Sequence, residues 1–132
     1  MAQIKITLTR SLIGYPKDQR ATLSIPEAVE FVKGLDLPNV FMVGDLYHMA
    51  LEQEGAKELL EALPLLRHVH LAQRDKDGNR GYPDMAHLEE YRQVLQPVLD
   101  AGYDLTLSAE AFYGPVPEGA EEAIRVFRAL VG

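Results

Sequence analysis

Four residues in this 132-residue chain have the type and placement to hold a divalent cation: Asp45 in VGDLYH, His68 and His70 in RHVHLA, and Glu110 in LSAEAF. Carboxylate oxygens with imidazole nitrogens form a donor set suited to Mn²⁺, Mg²⁺, Zn²⁺ or Co²⁺. His68 and His70 are two residues apart and on a strand would share one face, as would Ser108 and Glu110. Taken singly each is weak, since an Asp after a strand is more often a helix cap and a His in an apolar strand more often a packed core residue. Their recurrence at the ends of successive apolar runs is what favours a site.

The elements that must position them alternate along the chain. Ile4, Ile6 and Leu8 alternate with Lys5, Thr7 and Thr9, a period-2 strand pattern that stops before Gly14 and Pro16. Ser24 and Glu27 form a capping-box signature, and Val29, Phe31, Val32 and Leu35 supply an apolar stripe, predicting a helix over 25–35. Val40 to Val43 is a short buried-strand run that ends at Gly44-Asp45. Leu59, Leu60 and Leu63 mark a helix over 55–63, and Leu66 to Ala72 a third strand. The polar segment QRDKDGNRGYPD reads as a loop. A helix over 85–100 carries Leu88, Tyr91, Leu95, Val98 and Leu99 on one face, with Pro97 expected to kink it and Gly102 to close it. Leu105 to Ala109 is a fourth strand, and residues 118–131 a last helix with Ala123, Ile124, Phe127 and Leu130 inside.

This pattern predicts an α/β fold, a (βα)4 half-barrel with four parallel strands alternating with helices in a single domain spanning 1–132. Four units are too few for a complete eight-unit barrel, which takes about 200 residues or more. Two unpaired sheet edges invite a second copy, so a homodimer is expected. In such sheets ligands gather at the carboxyl ends of the strands, where parallel neighbours about 4.8 Å apart let donors from adjacent strands meet. The absence of cysteine excludes disulfides and thiolate metal sites, and the start has no secretory signal pattern, so a cytoplasmic setting is expected. Residues 1–23 hold Lys5, Arg10, Lys17 and Arg20 against Asp18, whereas the remainder has nine bases against nineteen acids. That acidity argues against broad contact with nucleic acid or anionic membranes.

The segments IPEAVEFVKGLDLPNV, GDLYHM, LRHVHLA, NRGYP and AGYDLTLSAEAF follow one another in an order that resembles the C-terminal half of the sugar-phosphate isomerase/epimerase group, the xylose-isomerase-like TIM barrels. The resemblance implies a divalent metal held by Asp45, His70 and Glu110. It further implies that His48 and Arg80 bind a sugar ligand and that Glu110 is one of two carboxylates moving a proton on carbon. The family's fourth metal ligand, a Glu on the preceding strand, has no counterpart in QIKITLTRS, where Arg10 stands instead.

KITLTRSLIGYPKDQRATL is similar to the N-terminus of the bacterial large-subunit ribosomal protein numbered thirty, which implies a chimera joined between Leu23 and Ser24. The sequence therefore predicts a chimeric or truncated half-barrel, inactive alone. An active metal-dependent ketose isomerase or epimerase homodimer is the alternative, and RNA binding through Lys17 and Arg20 the third reading.

Overall fold

The computed structural model describes the backbone of residues 6–8 and all of residues 23–132. Expectations for Lys5, Arg10, Lys17 and Arg20 fall outside the described residues. Four strands, β1 (Ile6–Leu8), β2 (Val40–Asp45), β3 (Leu66–Leu71) and β6 (Thr106–Ala109), form one open sheet in the order β1-β2-β3-β6. Every pairing in it is parallel. A two-stranded antiparallel ribbon, β4 (Gln73–Arg74) with β5 (Arg80–Gly81), stands beyond the end of β3. The strands alternate with helices α1 (Ile25–Gly34), α2 (Leu46–Leu51), α3 (Ala56–Ala62), α4 (Leu88–Asp100) and α5 (Val116–Val131), a partial α/β barrel. Among the described residues no helix is long and apolar enough to cross a membrane.

Local chemistry explains the helix boundaries. Ser24 caps α1 as read from sequence: its hydroxyl accepts from the Glu27 N–H while the Glu27 carboxylate accepts from the Ser24 N–H at 2.9 Å. Gly102, at φ 96°, ends α4 in the left-handed region that disfavours other residues. Helix α4 continues past Pro97 to Asp100 and buries Tyr91, Leu95 and Val98. Two stripes differ from expectation. Phe31 of α1 and Leu35 just after it are exposed while Ile25 and Val32 are buried, and on α5 Ile124 is exposed while Val126 is buried. On α5 the spacing decides, since Ala123, Val126 and Leu130 recur at intervals of three and four and Ile124 lies off that line.

The core lies on one face of the sheet. Val40 and Met42 of β2 are buried while Phe41, Val43 and Asp45 are half-buried, so β2 alternates regularly. Strand β3 does not. Met42 is paired with Leu66 but Val43 with His68, which leaves Arg67 as one extra residue, a bulge. Leu66, Val69 and Leu71 are thereby all buried on the helix side, and His68 and His70 come level with Val43 and Asp45 on the open side. Arg67 is held there by its guanidinium, 4.0 Å from the Phe41 ring centroid and 3.0 Å from the carbonyls of Pro64 and Leu66.

Helix α5 packs against the segment after β5 through Gly119. A Cβ there would come within 2.7 Å of three ring atoms of Tyr82. Replacing a helical glycine by alanine ordinarily stabilises by about 0.5–1 kcal/mol. Here Gly119→Ala is expected to destabilise by about 1–3 kcal/mol through overpacking, and urea denaturation would measure it. In a Tyr82→Ala background the same change should become stabilising.

Candidate metal centre

Asp45 closes β2 and simultaneously starts α2. Its Oδ1 accepts from the N–H groups of Tyr47 (3.1 Å) and His48 (3.4 Å), which caps the helix. Its Oδ2 is left to face the neighbouring strand end. The helix-cap reading of a strand-end Asp thus holds for Oδ1, and Oδ2 takes no part in the cap.

His70 lies beside Asp45 in the β2–β3 register and beside Ser108 in the β3–β6 register. Glu110 follows the end of β6, its N–H donating to the Leu71 carbonyl at 3.0 Å. His70 Nδ1 lies 3.1 Å from Glu110 Oε2, a hydrogen bond, and 3.5 Å from Asp45 Oδ2, a looser electrostatic contact. Asp45, His70 and Glu110 each offer one ligand atom within 4.8 Å of the others. One imidazole nitrogen and two carboxylate oxygens at that separation fit a divalent cation, and three protein ligands leave coordination positions open for a small molecule. His68 does not join them. Its Nε2 is 2.6 Å from Ser108 Oγ, and its ring meets that of His70 edge to face with centroids 4.6 Å apart.

Arg80 reaches the same place from the ribbon. It is 5% exposed, the one buried charged side chain among the described residues. Its Nη2 donates to Asp45 Oδ2 at 2.6 Å and lies 2.8 Å from Glu110 Oε2, and its Nε donates to the Glu110 carbonyl at 2.5 Å. Tyr47 and Phe112 frame the guanidinium, with ring centroids 5.1 and 5.9 Å away. Neither aromatic stood out in the sequence, although each is two positions from a candidate ligand. Tyr47 also ties the ribbon's turn to α2, its hydroxyl donating to the Gly78 carbonyl at 2.8 Å.

Electrostatics follow from these contacts. Burial pushes the Asp45 carboxyl up, but the close contact with His70, the hydrogen bond from Arg80 and the Arg80 charge outweigh it and hold the group at about 2. The contact with Asp45 pushes His70 above the ordinary imidazole value against its burial, and Glu110 adds to the rise. Burial pulls His48 below that value. Burial, with the neighbouring His70, does the same to His68. Two buried polar atoms, His48 Nε2 and Arg80 Nη1, make no hydrogen bond among the described residues. Buried nitrogens without partners are costly to keep.

All five site residues expected from sequence, Asp45, His48, His70, Arg80 and Glu110, therefore belong to one end of the sheet. Arg80 differs in its partners: it engages the carboxylates themselves.

Comparison with known proteins agrees with this architecture. Solved structures with the same fold include a D-allulose 3-epimerase from Methylomonas sp., 24% identical over 76% of this chain and 35% of that one, with a TM-score of 0.57. A D-psicose 3-epimerase is 19% identical over 87% of this chain and 46% of that one, with a TM-score of 0.65. A 3-keto-D-glucoside 4-epimerase from E. coli is 21% identical over 82% of this chain and 39% of that one, with a TM-score of 0.60. The chain thus spans less than half the length of each of these three. No curated protein sequence matches it significantly. The family described as xylose isomerase-like TIM barrel matches residues 10–130, a span that runs straight through Leu23 and gives no support to a joint there. With nearly the whole chain inside that match, the protein belongs to the xylose isomerase-like TIM barrel family.

Proposed function

We propose that this unit carries the metal-binding half of a sugar epimerase or isomerase site, acting on a ketose. The observation that carries the reading is the convergence of Asp45, His70 and Glu110 at the ends of three adjacent parallel strands. The names of the three structural neighbours above, epimerases of sugars, supply the substrate class.

In this reading Asp45, His70 and Glu110 hold a divalent ion such as Mn²⁺, Mg²⁺, Zn²⁺ or Co²⁺. When bound, such an ion polarises adjacent oxygens and acidifies the C–H beside a carbonyl. The chain's own residues do the rest. His48 Nε2 and Arg80 Nη1, the buried nitrogens without partners, meet the sugar's hydroxyl or carbonyl oxygens. Glu110 takes or returns the proton on carbon, its main chain held by the Leu71 carbonyl and by Arg80 Nε. Tyr47 and Phe112 restrict water around the guanidinium.

The opposite carboxylate, and the other wall of the pocket, would come from a second (βα)4 unit seated against the edges β1 and β6, which end the open sheet. A second copy of this chain is the simplest such unit, and a homodimer in a cytoplasmic setting is part of the proposal.

Isothermal titration with Mn²⁺ tests the reading. Binding is expected in the wild type and lost in His70→Ala, and EDTA should lower the melting temperature of the Mn²⁺-loaded protein because a bound ion stabilises the folded state by mass action. The absence of binding, or equal binding in His70→Ala, would overturn it.

A further inference from the structure

The oxygens best placed for a divalent ion already have a cationic partner. Asp45 Oδ2 and Glu110 Oε2 lie 2.6 and 2.8 Å from Arg80 Nη2, and these are the same two oxygens that face His70 Nδ1. Asp45 cannot offer its other oxygen without surrendering the cap of α2. An ion takes nitrogen and oxygen donors at about 2.0–2.2 Å, so one that took both oxygens would share them with Nη2 and sit no more than about 5 Å from it. Two cations that close in a buried site repel strongly. The side chain is well anchored for the role, since Nε donates to the Glu110 carbonyl and Arg80 is 5% exposed.

We propose that Arg80 is an internal counter-cation that contends with a divalent ion for Asp45 Oδ2 and Glu110 Oε2, so that the seated guanidinium and the bound ion exclude each other. This rests on the metal reading above and extends it. With the guanidinium seated, Asp45 and Glu110 are kept from repelling one another and stay in position. When an ion takes the two oxygens, Nη2 is released and joins Nη1 as a second donor open to a ligand oxygen. Ion binding and ligand binding are thereby coupled through one side chain, and the ligand is held by the fork only after the ion has arrived.

Two measurements test it. Mn²⁺ titration of Arg80→Met, with folding checked by circular dichroism, should show binding at least about 10-fold tighter than wild type, the least effect expected of deleting a like charge at contact distance. In ¹⁵N-labelled wild type, which needs no substitution, the Arg80 Nε–Hε resonance should move as Zn²⁺ is titrated to saturation. Equal or weaker Mn²⁺ affinity in folded Arg80→Met, or an Nε–Hε resonance unmoved while Zn²⁺ saturates the protein, would show that ion and guanidinium coexist and would overturn this proposal alone. If neither protein binds either ion, the metal reading itself falls, and this inference with it.

Discussion

Asp45→Ala should lower stability by about 3 kcal/mol, a shift of roughly 10 °C in the melting temperature of a domain this size. Two losses add up to that figure. Removing the cap of α2 costs about 1 kcal/mol. The charge contributes about 2 kcal/mol, because its folded value of about 2 lies below the ordinary 3.8 and each pH unit is about 1.4 kcal/mol. Asp45 is only 15% exposed, so little of this is screened. Asp45→Asn should keep the cap and lose only the second part, and chemical denaturation of both variants separates the two. The sign of the pH dependence follows from the direction of the shift. The carboxylate's contribution is fully present above about 3.8 and is lost as the pH falls through about 2. His70, shifted the other way, contributes fully below 6.5 and less as the pH rises through its folded value. A stability plateau between these limits, with its acid flank missing in Asp45→Ala, is the expected profile. An unchanged acid flank would show that Asp45 is not held by Arg80 and His70.

The second large effect concerns the phase of β3. Deleting Val69 brings His70 to the helix side and turns Leu71 toward the open side, since a one-residue step exchanges the faces of a strand. Burying an imidazole in an apolar core without a partner costs several kcal/mol, and the cooperative melt should disappear. Deleting Arg67 removes a residue from the same strand with the opposite outcome. Leu66, His68, Val69 and His70 then keep their partners Met42, Val43, Gly44 and Asp45, and the strand alternates regularly through Leu71. The contacts of Arg67 with Phe41, Pro64 and Leu66 are lost, together with its charge near Tyr103. Thermal melts followed by circular dichroism should find ΔArg67 folded and ΔVal69 not; equal behaviour would mean that the bulge does not set the faces.

Much of this was legible because the physics is local. Period-2 and period-3.6 patterns with Ser24, Glu27 and Gly102 at the helix ends located the main elements, and polar residues at the ends of apolar runs located Asp45, His70 and Glu110. Three features were hidden for identifiable reasons. Helix α2 has six residues, too short for a periodic stripe, and its one signal was the Asp45 that caps it. The ribbon β4–β5 has two residues a side, all but Gly81 polar, and its turn was written only in Gly78, at φ 81°. The burial of Arg80 cannot be read from hydropathy at all, since it depends on two carboxylates that lie 35 and 30 residues away along the chain. The bulge at Arg67 belongs to the same class: it exists only in the comparison of two strands.

The bulge and the regular alternation of β2 together sort the sheet into a side that holds the molecule together and a side left open. Leu66, Val69 and Leu71 answer to the helices; His68, His70 and Asp45 answer to whatever enters from the open side. Neighbours in sequence therefore live under unrelated constraints, and a change on the open side need not disturb the residues that keep the fold. Such a sheet can be given new chemistry on one surface while the other stays as it was.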